Sequence, residues 1–167
     1  MDSSANLPDL DQAIQARQQH DYQTAERLFT ELLAAQPDDP RLNYHYAWLC
    51  DAQGLERRAV AHYEKALAGE LPPDERRGAL LGLGSTYRTL GEYERAAERL
   101  RQGLEAFPAA LEFELFYAMT LYNLDRSREA VSLLLQLIAD HLPEDKLAGY
   151  QPAVRFYAQN LDQVWDE

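Results

Sequence analysis

Four alanines, Ala25, Ala59, Ala96 and Ala130, recur in matching surroundings at separations of 34, 37 and 34 residues. Internal repetition on this scale constrains a fold more than any other sequence feature, because each unit buries its apolar face on its neighbours. Four residues beyond each alanine stands a large apolar residue: Phe29, Tyr63, Leu100 and Leu134. Four further on stand Leu33, Leu67, Leu104 and Ile138. Spacing of i, i+4, i+8 marks one face of a helix, repeated four times. Twelve residues before each alanine lies another small residue, Ala13, Ala47, Gly84 or Ala118, each inside a second helical pattern. Small residues at both places predict pairs of antiparallel helices in close approach, where a leucine would push the pair apart.

The punctuation agrees with paired helices. Turn-tolerant dipeptides separate the members of each pair: His20-Asp21, Gln53-Gly54, Leu90-Gly91 and Asp125-Arg126. Gly54 and Gly91 suit the left-handed residue that ends a helix, and Asp21 suits the cap of the next. Pro37 and Pro108 fall just past second helices, and Pro143 closes the fourth pair. Asp39-Pro40 reads as an N-cap followed by a first helical position. Pro72-Pro73-Asp74 opens the third pair and carries the three extra residues of the 37-residue spacing.

A helix–turn–helix unit of about 34 residues resembles the tetratricopeptide repeat (TPR). The third repeat carries the resemblance best, with Leu83, Gly84, Tyr87, Leu90, Gly91, Tyr93, Ala96 and Pro108. The second keeps Tyr46, Ala47, Gly54, Ala59, Tyr63 and Ala66. The fourth keeps Ala118, Leu124, Ala130 and Leu134 but has Asp125 where glycine is usual. The first keeps Ala13, Tyr22, Ala25, Phe29 and Pro37, with Gln12 and Gln19 at usually apolar positions, as a repeat without a preceding neighbour requires. The fold this implies is all-α: a right-handed superhelical solenoid of about four repeats in a single TPR domain, 1–167. The expected repeats are 6–39, 40–73, 74–110 and 111–143, with one capping helix over 144–167 broken near Gly149. The ending Arg155 to Leu161 is similar to the tail of a group of small bacterial TPR proteins.

Composition removes several function classes. Sixteen Lys+Arg against 28 Asp+Glu give a formal net charge of −12, which repels phosphate backbones and favours neutral or basic protein partners. The acidic excess is concentrated in residues 1–39, which reads first as a solvated opening repeat. A single cysteine, Cys50, excludes an intramolecular disulfide and a Cys-based zinc cluster. The N-terminus has neither basic nor apolar leader segments, and Val131 to Ala139 is too short to span a membrane, so a cytoplasmic protein is expected. His20, His45, His62 and His141 include no i, i+4 pair. His45 and Cys50 lie five residues apart and point about 140° away from each other, poor geometry for a dyad. Gly78, Gly82 and Gly84 follow no strand, so they form no phosphate loop. No catalytic, metal or cofactor residue is expected.

The resemblance further implies that the first helix of each pair lines a concave groove. The residues it places there are Leu10, Asp11, Ile14, Arg17 and Gln18 in repeat one, and Arg41, Tyr44, His45, Trp48 and Asp51 in repeat two. Repeat three contributes Gly78, Leu81, Gly82, Ser85 and Arg88, and repeat four Glu112, Leu115, Phe116, Met119, Tyr122 and Asn123. The expected partner-binding set is Arg41, Tyr44, His45, Trp48, Ser85, Arg88, Phe116, Met119, Tyr122 and Asn123, with the small residues leaving space between aromatic rings. Chaperone-binding TPRs hold two carboxylates with Lys, Asn, Asn, Lys and Arg. The corresponding positions here, Leu10, Ile14, His45, Gly78 and Gly82, match none of these. The expected function is an adaptor or scaffold that binds a peptide or helix of another protein. The alternative is a self-assembling module that forms a homodimer through the C-terminal helix or a solenoid end, where Tyr150, Phe156, Tyr157 and Trp165 offer aromatics.

Overall fold

The computed structural model describes residues 9–166. Among these the regular structure is entirely helical: α1 Leu10–Gln18, α2 Tyr22–Ala35, α3 Pro40–Ala52, α4 Glu56–Ala68, α5 Pro73–Thr89, α6 Tyr93–Ala106, α7 Leu111–Asn123, α8 Ser127–His141 and α9 Gln151–Gln159. A single 3-10 turn, Glu144–Lys146, precedes α9. The described residues gather into two compact units, 9–91 and 92–166, divided in the turn at Gly91.

In the first unit α1 pairs with α2 and α3 with α4, and each second helix packs on the next first helix, α2 on α3 and α4 on α5. In the second unit α7 pairs with α8, α6 packs on α7, and α8 packs on α9. The small residues of the repeat lie inside this packing. Ala13, Ala25, Ala47, Ala59 and Ala96 have no exposed surface, Ala118 has 1% and Ala130 has 4%. Three helices begin on aspartate caps: Asp9 accepts from the Asp11 amide, Asp21 from Thr24 and Asp39 from Leu42. Pro40, Pro73 and Pro152 occupy first-turn positions, where no intrahelical donor is lost.

The turn inside each pair has one geometry. His20, Gly54, Gly91 and Asp125 lie in the left-handed region at φ 60°, 69°, 78° and 59°. They repeat with the same 34, 37 and 34 spacing as the alanines. Around Gly54 the amide donates to Asp51 O and the next amide, Leu55, reaches back to Cys50 O. His20-Asp21 and Asp125-Arg126 form the same pair of bonds, the closing pattern of a Schellman turn. A Cβ at Gly54 would meet nothing nearer than Glu56 Oε1 at 4.0 Å, so only backbone strain opposes substitution there. Gly54→Ala is expected to cost about 1 kcal/mol, and Asp125→Gly to gain about 0.5 kcal/mol, in urea melts. Equal midpoints for both variants and wild type would show that the left-handed turns are not strained.

The C-terminal segment departs from expectation. Of the capping helix expected over 144–167 with a break near Gly149, only Gln151–Gln159 is α-helical and 160–166 are not. Ala148 and Gly149 are left-handed at φ 47° and 84°, and Pro152 tolerates only the first turn, so the helix starts late. It ends at Asn160, whose side chain donates to Phe156 O at 2.9 Å. The short α9 is clasped to α8 by polar bonds: Gln151 and Arg155 both donate to Ala139 O, and Ser132 Oγ donates to Ala158 O.

Candidate functional site

In the first unit, α3 presents Arg41, Tyr44, His45 and Trp48 at i, i+3, i+4 and i+7, so one helical face carries all four. Arg41 Nε and Nη2 fork onto the Glu75 carboxylate of α5 at 2.7–3.0 Å. This bond raises the arginine further; at Glu75 burial is the largest single influence, but Arg41 and His45 together outweigh it and hold the carboxyl below its usual range. Trp48 is 48% exposed, and Arg17 of α1 lies over it with its guanidinium carbon 3.9 Å from the indole centroid.

Two of the expected surface residues are interior. Tyr44 and His45 are 6% and 7% exposed. The space that Gly78 and Gly82 leave is filled from within. A Cβ at Gly78 would stand 2.2 Å from Tyr44 Oη, and one at Gly82 would stand 2.5 Å from the Tyr63 ring of α4. The two tyrosine rings are neighbours, 6.4 Å apart. Glycine on α5 therefore admits long side chains from α3 and α4, rather than opening a trough. His45 sits beside the Tyr44 ring, with its nitrogens unbonded apart from a 3.5 Å approach to Glu75. Burial first, then Arg17, push its pKa down to about 4, so it is neutral at pH 7.

Asp51 is also not a groove residue. It accepts from Tyr63 Oη at 2.9 Å and from Thr86 Oγ1 at 2.9 and 3.1 Å, tying α3, α4 and α5 together. Burial dominates and raises its carboxyl despite these bonds. A matching tie joins α2, α3 and α4: Glu26 accepts from Tyr46 Oη at 2.7 Å and Arg58 at 2.8 Å, and burial is outweighed so that its carboxyl is held down. Ser85 and Arg88 on α5 are half-buried, and Arg88 Nε has no hydrogen-bond partner among the described residues. Cys50 has no exposed surface, and burial pushes its thiol up to about 11.

The second unit is different. On α7, Leu115, Met119 and Tyr122 are 42%, 37% and 67% exposed at i, i+4 and i+7. The opposite face supplies Phe113, Ala118 and Leu121 to the core. Phe116 and Asn123 flank the stripe half-buried, and Asn123 Oδ1 is buried without a partner among the described residues. A cleft of about 480 Å³ lies between α7, α8 and α9, lined in part by Tyr117, Leu121, Leu133 and Gln136. Among the described residues no group of His, Cys, Asp or Glu is placed to hold a metal ion.

A family model described as Tetratrico peptide repeat matches residues 40–161, well over half of the chain. The chain belongs to the tetratricopeptide repeat family. TPR domains are in general protein–protein interaction modules, and they are typically non-enzymatic. The matched span leaves out the first TPR pair, whose Gln12 and Gln19 depart from the usual pattern. No curated protein matches this TPR chain. Among the described residues no helix is long and apolar enough to cross a membrane.

Sequence reasoning placed Arg17 on the groove side of α1 but left it out of the binding set. Its stacking on Trp48 joins positions 31 residues apart on different helices, and no spacing rule connects them. Tyr63, assigned to the packing stripe, reaches α5 as well. The glycines opposite it were the available signal.

Proposed function

We propose that this protein is a non-enzymatic adaptor that holds a peptide or helix of a partner on the faces of its first helices. The observation that carries this reading is the α7 stripe of Leu115, Met119 and Tyr122. Three large apolar side chains at i, i+4 and i+7 are left in solvent on a helix whose other face is fully committed to the core. That pattern suits an amphipathic or extended partner segment, and Tyr122 has the amphipathic ring that serves as an anchor. Trp48 offers a second aromatic anchor on the first unit. The formal net charge of −12 favours a neutral or basic protein and disfavours nucleic acid and anionic membrane surfaces. The chaperone-type carboxylate clamp lacks its side chains at Leu10, Ile14, His45, Gly78 and Gly82. A cytoplasmic scaffold is the setting that fits.

The test is a pull-down from host lysate with wild type and Met119→Ser/Tyr122→Ser as parallel baits. Both positions are exposed, so the variant is expected to melt within a degree or two of wild type. A protein retained by wild type and lost by the double variant is the expected result. Identical retention by both baits would sink the α7 face as the working surface.

Self-assembly is a second reading, favoured by the C-terminal aromatics. Tyr150, Phe156, Tyr157 and Trp165 are 70%, 41%, 45% and 69% exposed, and Phe156 stacks on Trp165 at 6.1 Å. A second copy could cover them. A monomer mass that does not change across a wide concentration range in sedimentation equilibrium would remove this reading.

A further inference from the structure

Arg17 is a buried cation of the first unit with no ion-pair partner among the described residues. Only 6% of it is exposed. Among the described residues its one hydrogen bond to protein is long, from Nη1 to His45 O at 3.5 Å. Burial lowers its pKa, and no carboxylate pairs with it among the described residues. The carboxylates that could serve are engaged elsewhere: Glu75 is forked by Arg41, and Asp51 is held by Tyr63 and Thr86. A buried guanidinium carries five donors and a full charge, and leaving it without an anion is costly.

The indole of Trp48 occupies a face of the guanidinium, 3.9 Å away. Carboxylates bind arginine in the plane of the fork, along its edge, so stacking on one face and ion pairing at the edge are compatible. Trp48 is itself half in solvent, which gives an incoming group an apolar surface beside the cation. We propose that Arg17 and Trp48 form a carboxylate-binding site, in which Arg17 forks onto a single carboxylate of a partner chain while Trp48 packs on the apolar group next to it. With a formal net charge of −12 the protein repels strongly acidic segments, so the ligand is one carboxylate on an otherwise neutral or basic chain. The site uses one cation from α1, at none of the five clamp positions, and it does not depend on the α7 stripe.

The experiment uses the full chain and follows the two tryptophan indole N–H signals by NMR. Trp48 is the reporter, and Trp165, on the second unit, is the internal control. Three probes are titrated to about 50 mM, a range that brackets millimolar affinity. N-acetyl-leucine carries an α-carboxylate, N-acetyl-glutamic α-amide carries a side-chain carboxylate, and N-acetyl-leucinamide carries none. At least one acid is expected to shift the Trp48 signal saturably, and the amide to bind at least about tenfold more weakly, as loss of a charged hydrogen-bond pair implies. The stronger acid identifies the carboxylate as terminal or side-chain. Arg17→Lys is expected to weaken the acid about tenfold, because an ammonium lacks the fork, and Arg17→Met to abolish the response. Should Arg17→Met fail to fold, the wild-type comparison of acid with amide decides alone. A shift from the amide equal to that from the stronger acid, or no saturable shift from either acid, would overturn the proposal.

Discussion

Phe113→Ala is expected to lower the stability of the second unit by about 3–5 kcal/mol, the usual cost of emptying a large buried aromatic site. Phe113 on α7 has no exposed surface and stacks against Phe107 at 6.2 Å with the rings 10° apart. Its ring lies in a notch on α6 that exists because residue 103 is glycine. A Cβ there would stand 2.0 Å from the ring, with two more ring atoms at 2.2 and 2.5 Å. A buried ring held on several sides cannot retreat by that distance. Gly103→Ala is therefore expected to cost about 1–3 kcal/mol by overpacking. The sign alone is informative, because glycine to alanine inside a helix ordinarily gains up to about 1 kcal/mol. With Phe113 already truncated, the same change regains that helical preference, and the double-mutant cycle is expected to show coupling of at least about 1 kcal/mol. Urea denaturation followed by circular dichroism measures all four forms. A stabilising Gly103→Ala in the wild-type background would mean that α6 and α7 are not locked through this ring.

The second large effect is a loss of stability in mild acid. His45 titrates at about 4 in the folded chain against 6.5 for the ordinary imidazole. Burial lowers it most, Arg17 and Arg41 lower it further, and Glu75 only partly opposes them. Between pH 6.5 and 4 the unfolded chain takes up a proton at this position and the folded chain does not. Stability contributed by the neutral ring is complete above pH 6.5 and is lost progressively as pH falls toward 4. From pH 7.5 to 4.5 the loss is expected to be about 2 kcal/mol. His62, also lowered by burial, adds a loss of the same sign. Asp51, raised by burial, works against it. Comparing wild type with His45→Gln at both pH values separates the His45 share, since the other groups are common to both. If the glutamine variant loses as much stability as wild type over that interval, His45 does not carry the effect.

The polar ties of the first unit follow a rule that the apolar pattern does not display. Buried Asn43 donates to Pro37 O and Asp39 O and meets His62 Nδ1 through its Oδ1, so all its polar atoms are used. Glu26 and Asp51 each accept from a tyrosine hydroxyl on a neighbouring helix. Hydrogen bonds of this kind fix the register between helices, since each is costly to break singly. Arg17 stands out against them because its charge has no such partner.

Sequence alone determined the helix pairs. The alanines fix where two backbones can approach, Gly54 and Gly91 fix where the chain can turn left-handed, and Asp39-Pro40 fixes where a helix can start. Each of these is a local steric or hydrogen-bonding requirement, so it is visible in a single stretch of chain. Even Asp125, where glycine is usual, was legible as a turn because its place in the repeat demanded one. The exposed stripe of α7 was also legible, since Leu115, Met119 and Tyr122 share one face of one helix. Only the tertiary structure decided what fills the small-residue positions of α5. Helical spacing says which side chains share a face, but not how far a tyrosine on another helix reaches. Tyr44 and Tyr63 therefore occupy space that the sequence left open, and Arg17 finds Trp48 instead of an acid. Those outcomes depend on side-chain length and on the angle between packed helices, and neither is written in the spacing of residues along one helix.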